Sequence, residues 1–296
     1  MVTPPLLKKG DKIGIVAPAR KISREEIQFA MDTFHKWGLE VALGKNIFGN
    51  ENQYSGSDGQ RMDDMQKMLD DDSIRAIISA RGGYGTLRII DKLDFKKFKK
   101  KPKWIIGYSD ITVLHSHIHE IFGIETLHAT MPINFSKDEE SISTLRKALF
   151  GEKLSYEIPQ QSLNRNGNAQ GELVGGNLSL QYALQGSKSD ISTEGKIFFI
   201  EDLDEYLYHI DRMMVSLKRS GKLSKLKGLV VGGMSEMKDN QVPFGKTAEE
   251  IICESVAEFK YPVCFGFPAG HTTKNLALPF GRRAKLNVGK KVTLSF

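Results

Sequence analysis

The feature that most constrains this chain is the alternation, through its first half, of short apolar runs with segments of helical spacing. "KIGIVAP" (Lys12 to Pro18) reads as a strand. "SREEIQFAMDTFHKWG" follows, with Ser23 placed as an N-cap, Glu26 three residues on to complete a capping box, and Gly38 to end the helix. "LEVALG" predicts a second strand, "GQRMDDMQKMLDDD" a second helix, "IRAIISA" (Ile74 to Ala80) a buried third strand, and "KWIIGY" a fourth. Strands separated by helices imply crossovers, so this half is predicted to be a wound parallel sheet with helices on both faces. Ligands of such sheets collect at the carboxyl ends of the strands, which puts "APAR", "RGGYG" and "YSD" on one rim.

After about residue 150 the texture changes to "LSYEIPQQSLNRNGNAQGELVGGNLS", rich in Gly, Asn, Gln and Ser, which reads as linker and turns. Beyond it come strand "KIFFIED", helix "EYLYHIDRMMVSLKRSG", strand "LKGLVVGG", helix "TAEEIICESVAEFK", strand "VCFGF" and two closing strands, "RAKLNV" and "KVTLSF". The expected fold class is therefore α/β, with an N-terminal wound parallel-sheet domain over 1–150, a linker over 151–168 and a C-terminal mixed α/β domain over 169–296. A cleft between the halves is the natural place for a site.

With 296 residues, 40% hydrophobic, the chain can bury a sizeable core, which excludes disorder. The net charge of +6 is spread among nearly as many acids, and the one basic run, "FKKFKKKPK", reads as a solvated loop, so no nucleic-acid partner is expected. Cys253 and Cys264 have no metal-type spacing and suit a reducing compartment. No secretory leader and no apolar run of the ~20 residues that span a bilayer are visible, which predicts a cytoplasmic protein with no membrane partner.

"KWIIGYSDIT" raises the functional question, because a core strand gives way to Ser109 and Asp110 just before the helical stripe of Ile111, Leu114, Ile118 and Ile121 or Phe122. Either Ser109 caps that helix or a sharp strand-to-helix turn displays it as a nucleophile, with the Asp110 amide as an oxyanion donor. A second donor would come from "RGGYG", at Gly83 or Gly82, where glycine lets backbone approach a ligand. No GxGxxG and no P-loop occurs, which argues against a nucleotide cofactor.

A nucleophilic serine needs a base, and an imidazole base needs a carboxylate to hold its tautomer. In "HSHIH", His115 and His119 share a helix face, but without HExxH or a third ligand no metal site is assigned. His128, in "ETLHATMP", either lines the pocket or closes the core. His271, in "GFPAGHTTKN", sits in a Gly/Pro-shaped turn after a strand, where catalytic groups are commonly placed. Glu201 ends the apolar run of "FFIEDLDEY", and Asp202 or Asp204 is expected to cap the following helix.

In order, "GDKIGIVAPA", "YSGSDGQRMDDMQ", "ARGGYGTLRIIDKLD", "PKWIIGYSDITVLH", "GELVGGNLSLQ", "FFIEDLDEYLYHIDRMM" and "GFPAGHTTKNLALPFG" resemble the LD-carboxypeptidases of serine-peptidase family S66, which also contains microcin C immunity peptidases. The resemblance implies a Ser, Glu and His triad at Ser109, Glu201 and His271, an oxyanion hole from the Asp110 and Gly83 amides, no cofactor, barrel-like β-structure in the C-terminal domain and a homodimer. It implies removal of the terminal D-alanine from cytoplasmic muropeptide tetrapeptides during peptidoglycan recycling. Arg81, Tyr84, Asn177, Glu172 and His128 are candidate substrate contacts, each of which could equally be a structural pair or cap. Where many relatives have His-Gly-Pro-Met, this chain has "HATMP". The alternatives are an immunity-type peptidase cleaving a peptidyl-nucleotide amide and a muropeptide-binding protein without turnover.

Overall fold

The computed structural model describes every residue from Met1 to Phe296. Its first half contains strands β1 (Lys12–Val16), β2 (Glu40–Leu43), β3 (Ile74–Ser79), β4 (Trp104–Gly107) and β5 (Thr126–His128). Between and after them lie helices α1 (Arg24–Lys36), α2 (Asp58–Asp70), α3 (Lys96–Lys100), α4 (Thr112–Phe122) and α5 (Glu139–Phe150). The second half contains β6 (Ser155–Pro159), β7 (Gly167–Asn177), β8 (Ile197–Leu203), β9 (Gly228–Ser235), β10 (Val263–Cys264), β11 (Leu278–Phe280), β12 (Arg283–Val288) and β13 (Lys291–Ser295). Its helices are α6 (Leu178–Ala183), α7 (Leu207–Arg219) and α8 (Ala248–Ser255).

Local signals set several boundaries. The Glu26 amide donates to Ser23 Oγ at 3.3 Å while the Ser23 amide donates to Glu26 Oε2 at 2.7 Å, closing the capping box of α1. Ser57 and Gln60 repeat the device on α2. Each such cap is worth about 1 kcal/mol. On α7 the stripe of Ile210, Met214 and Leu217 is buried, joined by Met213.

The first sheet has the order β11-β5-β4-β3-β1-β2. β1 to β5 are mutually parallel in the 2-1-3-4-5 arrangement of doubly wound folds, which has its switch point between β1 and β3. β11 joins that sheet antiparallel to β5, although it comes from the far end of the chain. In the second sheet, β10, β9, β8 and β7 are parallel, and β12, β13 and β6 continue it antiparallel. The expected barrel-like structure takes the form of a sheet with two ends: β10 and β6 are its edges. The β6–β7 connection nevertheless crosses to β10, where Arg165 and Val263 exchange backbone hydrogen bonds of 2.9 and 3.1 Å.

Two expectations for the middle of the chain change. The segment 151–168 contributes β6, and the glycine-rich second part of the stretch read as turns is β7, an interior strand between β8 and β12. The amino-terminal part of β7 is largely exposed or half-exposed, and only its Leu173–Asn177 end is continuously buried. It therefore lacks the apolar alternation that marks a strand in sequence. The two halves also share one core, which runs from Ile13, Ile78 and Trp104 through Phe280 to Phe199 and Leu286. Across that junction Arg282 Nη2 donates to Glu125 Oε2 at 2.7 Å and the Ala277 amide donates to Thr144 Oγ1 at 3.1 Å. Both cysteines are free thiols, and no helix is long and apolar enough to cross a membrane.

Candidate active site

β4 ends at Gly107, and Ser109 opens a single 3-10 turn, Ser109–Ile111, that leads into α4. Ser109 has φ +63°, a left-handed conformation that costs a non-glycine residue roughly 1–3 kcal/mol and persists only where neighbours enforce it. Here the neighbours are Ile111, wholly buried, and Asp110, whose Oδ2 accepts hydrogen bonds from the Thr86 amide at 2.8 Å and the Thr86 hydroxyl at 2.5 Å. Burial pushes the Asp110 carboxyl above its ordinary range despite those bonds. Ser109 makes no capping hydrogen bond, so the turn displays the hydroxyl instead of spending it on the helix end.

The loop after β3 closes on Ser109 from the side. A Cβ on Gly82 would lie 2.8 Å from Ser109 Cβ and 3.0 Å from its Oγ, so only glycine admits this approach. Arg61, buried beneath the rim, fixes the loop's far end by donating to the carbonyl of Gly85 at 3.1 Å and to that of Pro18. The predicted shared rim is therefore real: Arg20, Arg81, Gly82, Gly83 and Ser109 line one cleft of about 440 Å³.

The opposite wall comes from the second sheet. Glu201 on β8 is fully buried, and its Oε2 accepts from His271 Nδ1 at 2.7 Å and from the His271 backbone amide at 3.1 Å. The Ser235 hydroxyl donates to the His271 carbonyl at 2.5 Å, and the Gly270 amide is held by Asn275 Oδ1 at 2.9 Å. Burial by itself would lower the His271 pKa, but the Glu201 charge and hydrogen bond outweigh it and the net shift is upward. Ser109 and His271 face the same cleft without a direct hydrogen bond between them. The Tyr108 ring meets His271 edge-on at 5.0 Å.

Asp202, next to Glu201, also lines the cleft, and burial followed by the Glu201 charge pushes it up to about 7. It does not cap the helix after it: its oxygens accept from Asn177 Nδ2 at 2.8 Å and from the Ser179 amide at 2.9 Å, at the start of α6. Asp204 instead pairs with Lys238, and α7 has Tyr206 at its N-cap position with no side-chain capping bond. Asn177 binds in both directions, since its amide donates to Thr112 Oγ1 at 2.9 Å in the first turn of α4. It thus ties the Ser109 turn to the strand end carrying Glu201.

Of the candidate substrate contacts, Arg81 and Asn177 line the cleft and the others do not. Tyr84 is 45% exposed and leans on Tyr54. Glu172 lies 3.8 Å from His119 and 3.9 Å from Lys196 on the outer part of β7. His128 is wholly buried among Tyr108, Phe199 and Phe280, which selects the core-closing alternative. His115 bonds to Thr126 and the Gly107 carbonyl, while His119 accepts from Lys196, so the two share no ligand position. Arg20, Tyr108, Lys137 and Glu205 line the cleft without having been singled out in sequence. Arg20 and Tyr108 stood inside quoted rim segments and Glu205 inside "FFIEDLDEY", but Lys137 lay outside every quoted segment.

Two family models match the chain in order: the LD-carboxypeptidase N-terminal domain over residues 13–129 and the LD-carboxypeptidase C-terminal domain over residues 170–286. A probable murein peptide carboxypeptidase of Bacillus subtilis is 35% identical over 98% of this chain and 93% of its own length. The chain belongs to the LD-carboxypeptidase family of serine peptidases. Among solved structures, a muramoyltetrapeptide carboxypeptidase from Oxalobacter formigenes matches this LD-carboxypeptidase-family chain with a TM-score of 0.85 at 27% identity, covering 96% of this chain and 98% of its own. The fold is also that of MccF in complex with glutamyl sulfamoyl guanosine, with a TM-score of 0.89 at 21% identity over 99% of this chain and 98% of the other. As a family member the protein is a serine carboxypeptidase, a hydrolase.

Proposed function

We propose that this enzyme removes the terminal D-alanine from muropeptide tetrapeptides through an acyl-enzyme on Ser109, with His271 as base and Glu201 as its orienting carboxylate. The observation that carries the reading is the buried Glu201–His271 hydrogen bond facing the same cleft as a serine held in a left-handed turn. Ser109 Oγ attacks the carbonyl carbon of the last amide, and its proton passes to His271 Nε2. The resulting oxyanion is held by amides of Asp110 and Gly83. Collapse breaks the C–N bond as His271 returns the proton to the departing amine, and a water repeats the sequence to free the acyl group. Glu201 accepts at Nδ1, which leaves Nε2 unprotonated and available as base in the resting imidazole.

The names of the relatives support murein peptides as the substrate class. We place the reaction in the cytoplasm, supported by the two unpaired thiols, and assign the enzyme the homodimer that the family resemblance implies.

Purified enzyme releases D-alanine from a tetrapeptide bearing lysine or diaminopimelate at the third position, and does so with a chelator present. Absence of release, or release abolished by the chelator, overturns the reading. An aminoacyl-nucleotide amide assayed alongside separates the immunity-type activity: faster cleavage of that compound would reverse the assignment. The packing of the loop gives a further expectation. Gly82→Ala presses a methyl on Ser109 and lowers kcat/KM by roughly 100-fold, the scale of a 1 Å misplacement, while the circular dichroism spectrum is retained. Full activity in that variant would show that the loop does not set the position of the hydroxyl.

A further inference from the structure

The cleft carries a charge pattern that the triad chemistry does not use. Arg20, from the loop after β1, and Arg81, from the loop after β3, both line it beside Ser109. These loops flank the switch point of the first sheet, where doubly wound folds bind their ligands. Neither guanidinium forms an ion pair within the chain. Burial and then the charge of Arg20 lower the pKa of Arg81, so the half-buried Arg81 is repelled by the exposed Arg20 beside it. The carboxylate that opposes this, Glu26, is already engaged by the Ser23 amide in the α1 capping box.

The two side chains are also held in position. Arg81 Nη1 donates to the Lys21 carbonyl at 3.2 Å, which leaves its remaining N–H groups free to donate. Arg20 lies so close against the neighbouring loop that a Cβ on Gly83 would come within 2.3 Å of its side chain. Across the cleft the charge reverses, with Asp202, Asp204 and Glu205 on the wall formed by the end of β8. Asp204 is paired with Lys238 and Glu205 with His209. Lys137 lines the cleft as well, but only Arg20 and Arg81 stand on the two loops beside Ser109, so an anion entering there meets unpaired positive charge, whereas Asp204 and Glu205 on the other wall already have partners.

We infer that Arg20 and Arg81 form the subsite for the terminal carboxylate of the peptide, and that this contact confines cleavage to the last amide bond. The inference rests on the carboxypeptidase reading and adds the residues that make the enzyme an exopeptidase. A planar fork of N–H donors matches a carboxylate in two parallel bonds, an interaction that a neutral terminal amide cannot reproduce.

The test compares a tetrapeptide ending in D-alanine with the same peptide ending in D-alaninamide. Wild-type enzyme is expected to favour the free acid by roughly 100-fold in kcat/KM, as for a lost charge-assisted pair. In the double variant Arg20→Leu/Arg81→Leu that preference falls to within about threefold of unity, and Arg81→Lys retains part of it. Equal cleavage of acid and amide by wild-type enzyme overturns the subsite while leaving the carboxypeptidase intact, and this arm needs no variant to fold. A double variant that keeps the full preference overturns the assignment to these residues. If the wild-type enzyme releases nothing from the free acid, the carboxypeptidase reading fails and the subsite fails with it.

Discussion

Ser109→Ala is expected to lower kcat/KM for D-alanine release by roughly 10⁴- to 10⁶-fold, the scale seen when a member of a concerted triad is removed. The loss follows from chemistry alone, since the Ser109 hydroxyl accepts no capping bond from the helix amides and is displayed by the turn. A companion substitution separates chemistry from strain. Ser109→Gly is equally inactive but relieves the left-handed backbone at φ +63°, and it should raise stability by about 1 kcal/mol, or about 2 °C in melting temperature. Turnover by the alanine variant at a tenth of the wild-type rate would remove Ser109 as nucleophile. A glycine variant that melts lower than wild type would show that the turn is not strained by its side chain.

Glu201→Gln is the second large effect. Glutamine keeps the shape, and its carbonyl can still accept from both His271 donors, but the charge that raises the His271 pKa is gone. The turnover number should fall by about 10³- to 10⁴-fold, as for loss of the orienting carboxylate in a triad. The acidic limb of the pH profile should move to lower pH, because the imidazolium is no longer stabilised. The sign in wild type follows from the same shift. The stability contributed by charged His271 is fully present below the unfolded value of about 6.5 and is lost as pH rises through the raised folded value. With His271 as the proposed base, its neutral form is expected to support catalysis over that same window, so activity should rise where this contribution to stability falls. A limb that stays in place in the glutamine variant would show that Glu201 does not set the His271 equilibrium.

The two halves of the chain were not equally legible. β1, α1, α2 and β3 were readable because a capping box or an unbroken apolar run is a local signal that survives without tertiary context. β7 was not, since an interior strand with glycines and an exposed beginning looks like a series of turns. β11 is three residues long and exists as a strand because β5, far away in sequence, offers it an edge. Asp202 was misplaced for the same kind of reason: a carboxylate before a helix is ordinarily its cap, yet the donors that reach it belong to Asn177 and Ser179.

By itself the sequence determined the alternation that winds the first sheet, the strand ends near which Ser109 and Glu201 stand, the Gly/Pro-shaped loop that carries His271, and the family to which their motifs belong. Each of these depends on neighbours a few residues away or on the order of segments. The tertiary structure alone decided that Glu201 would bond to His271 across 70 residues, that Arg20 and Arg81 would face one cleft without a counter-ion, and that His128 would be sealed in the core. Those outcomes follow from which strand ends the two sheets bring together. Electrostatics and desolvation act through space, and separation along the chain does not encode distance through space.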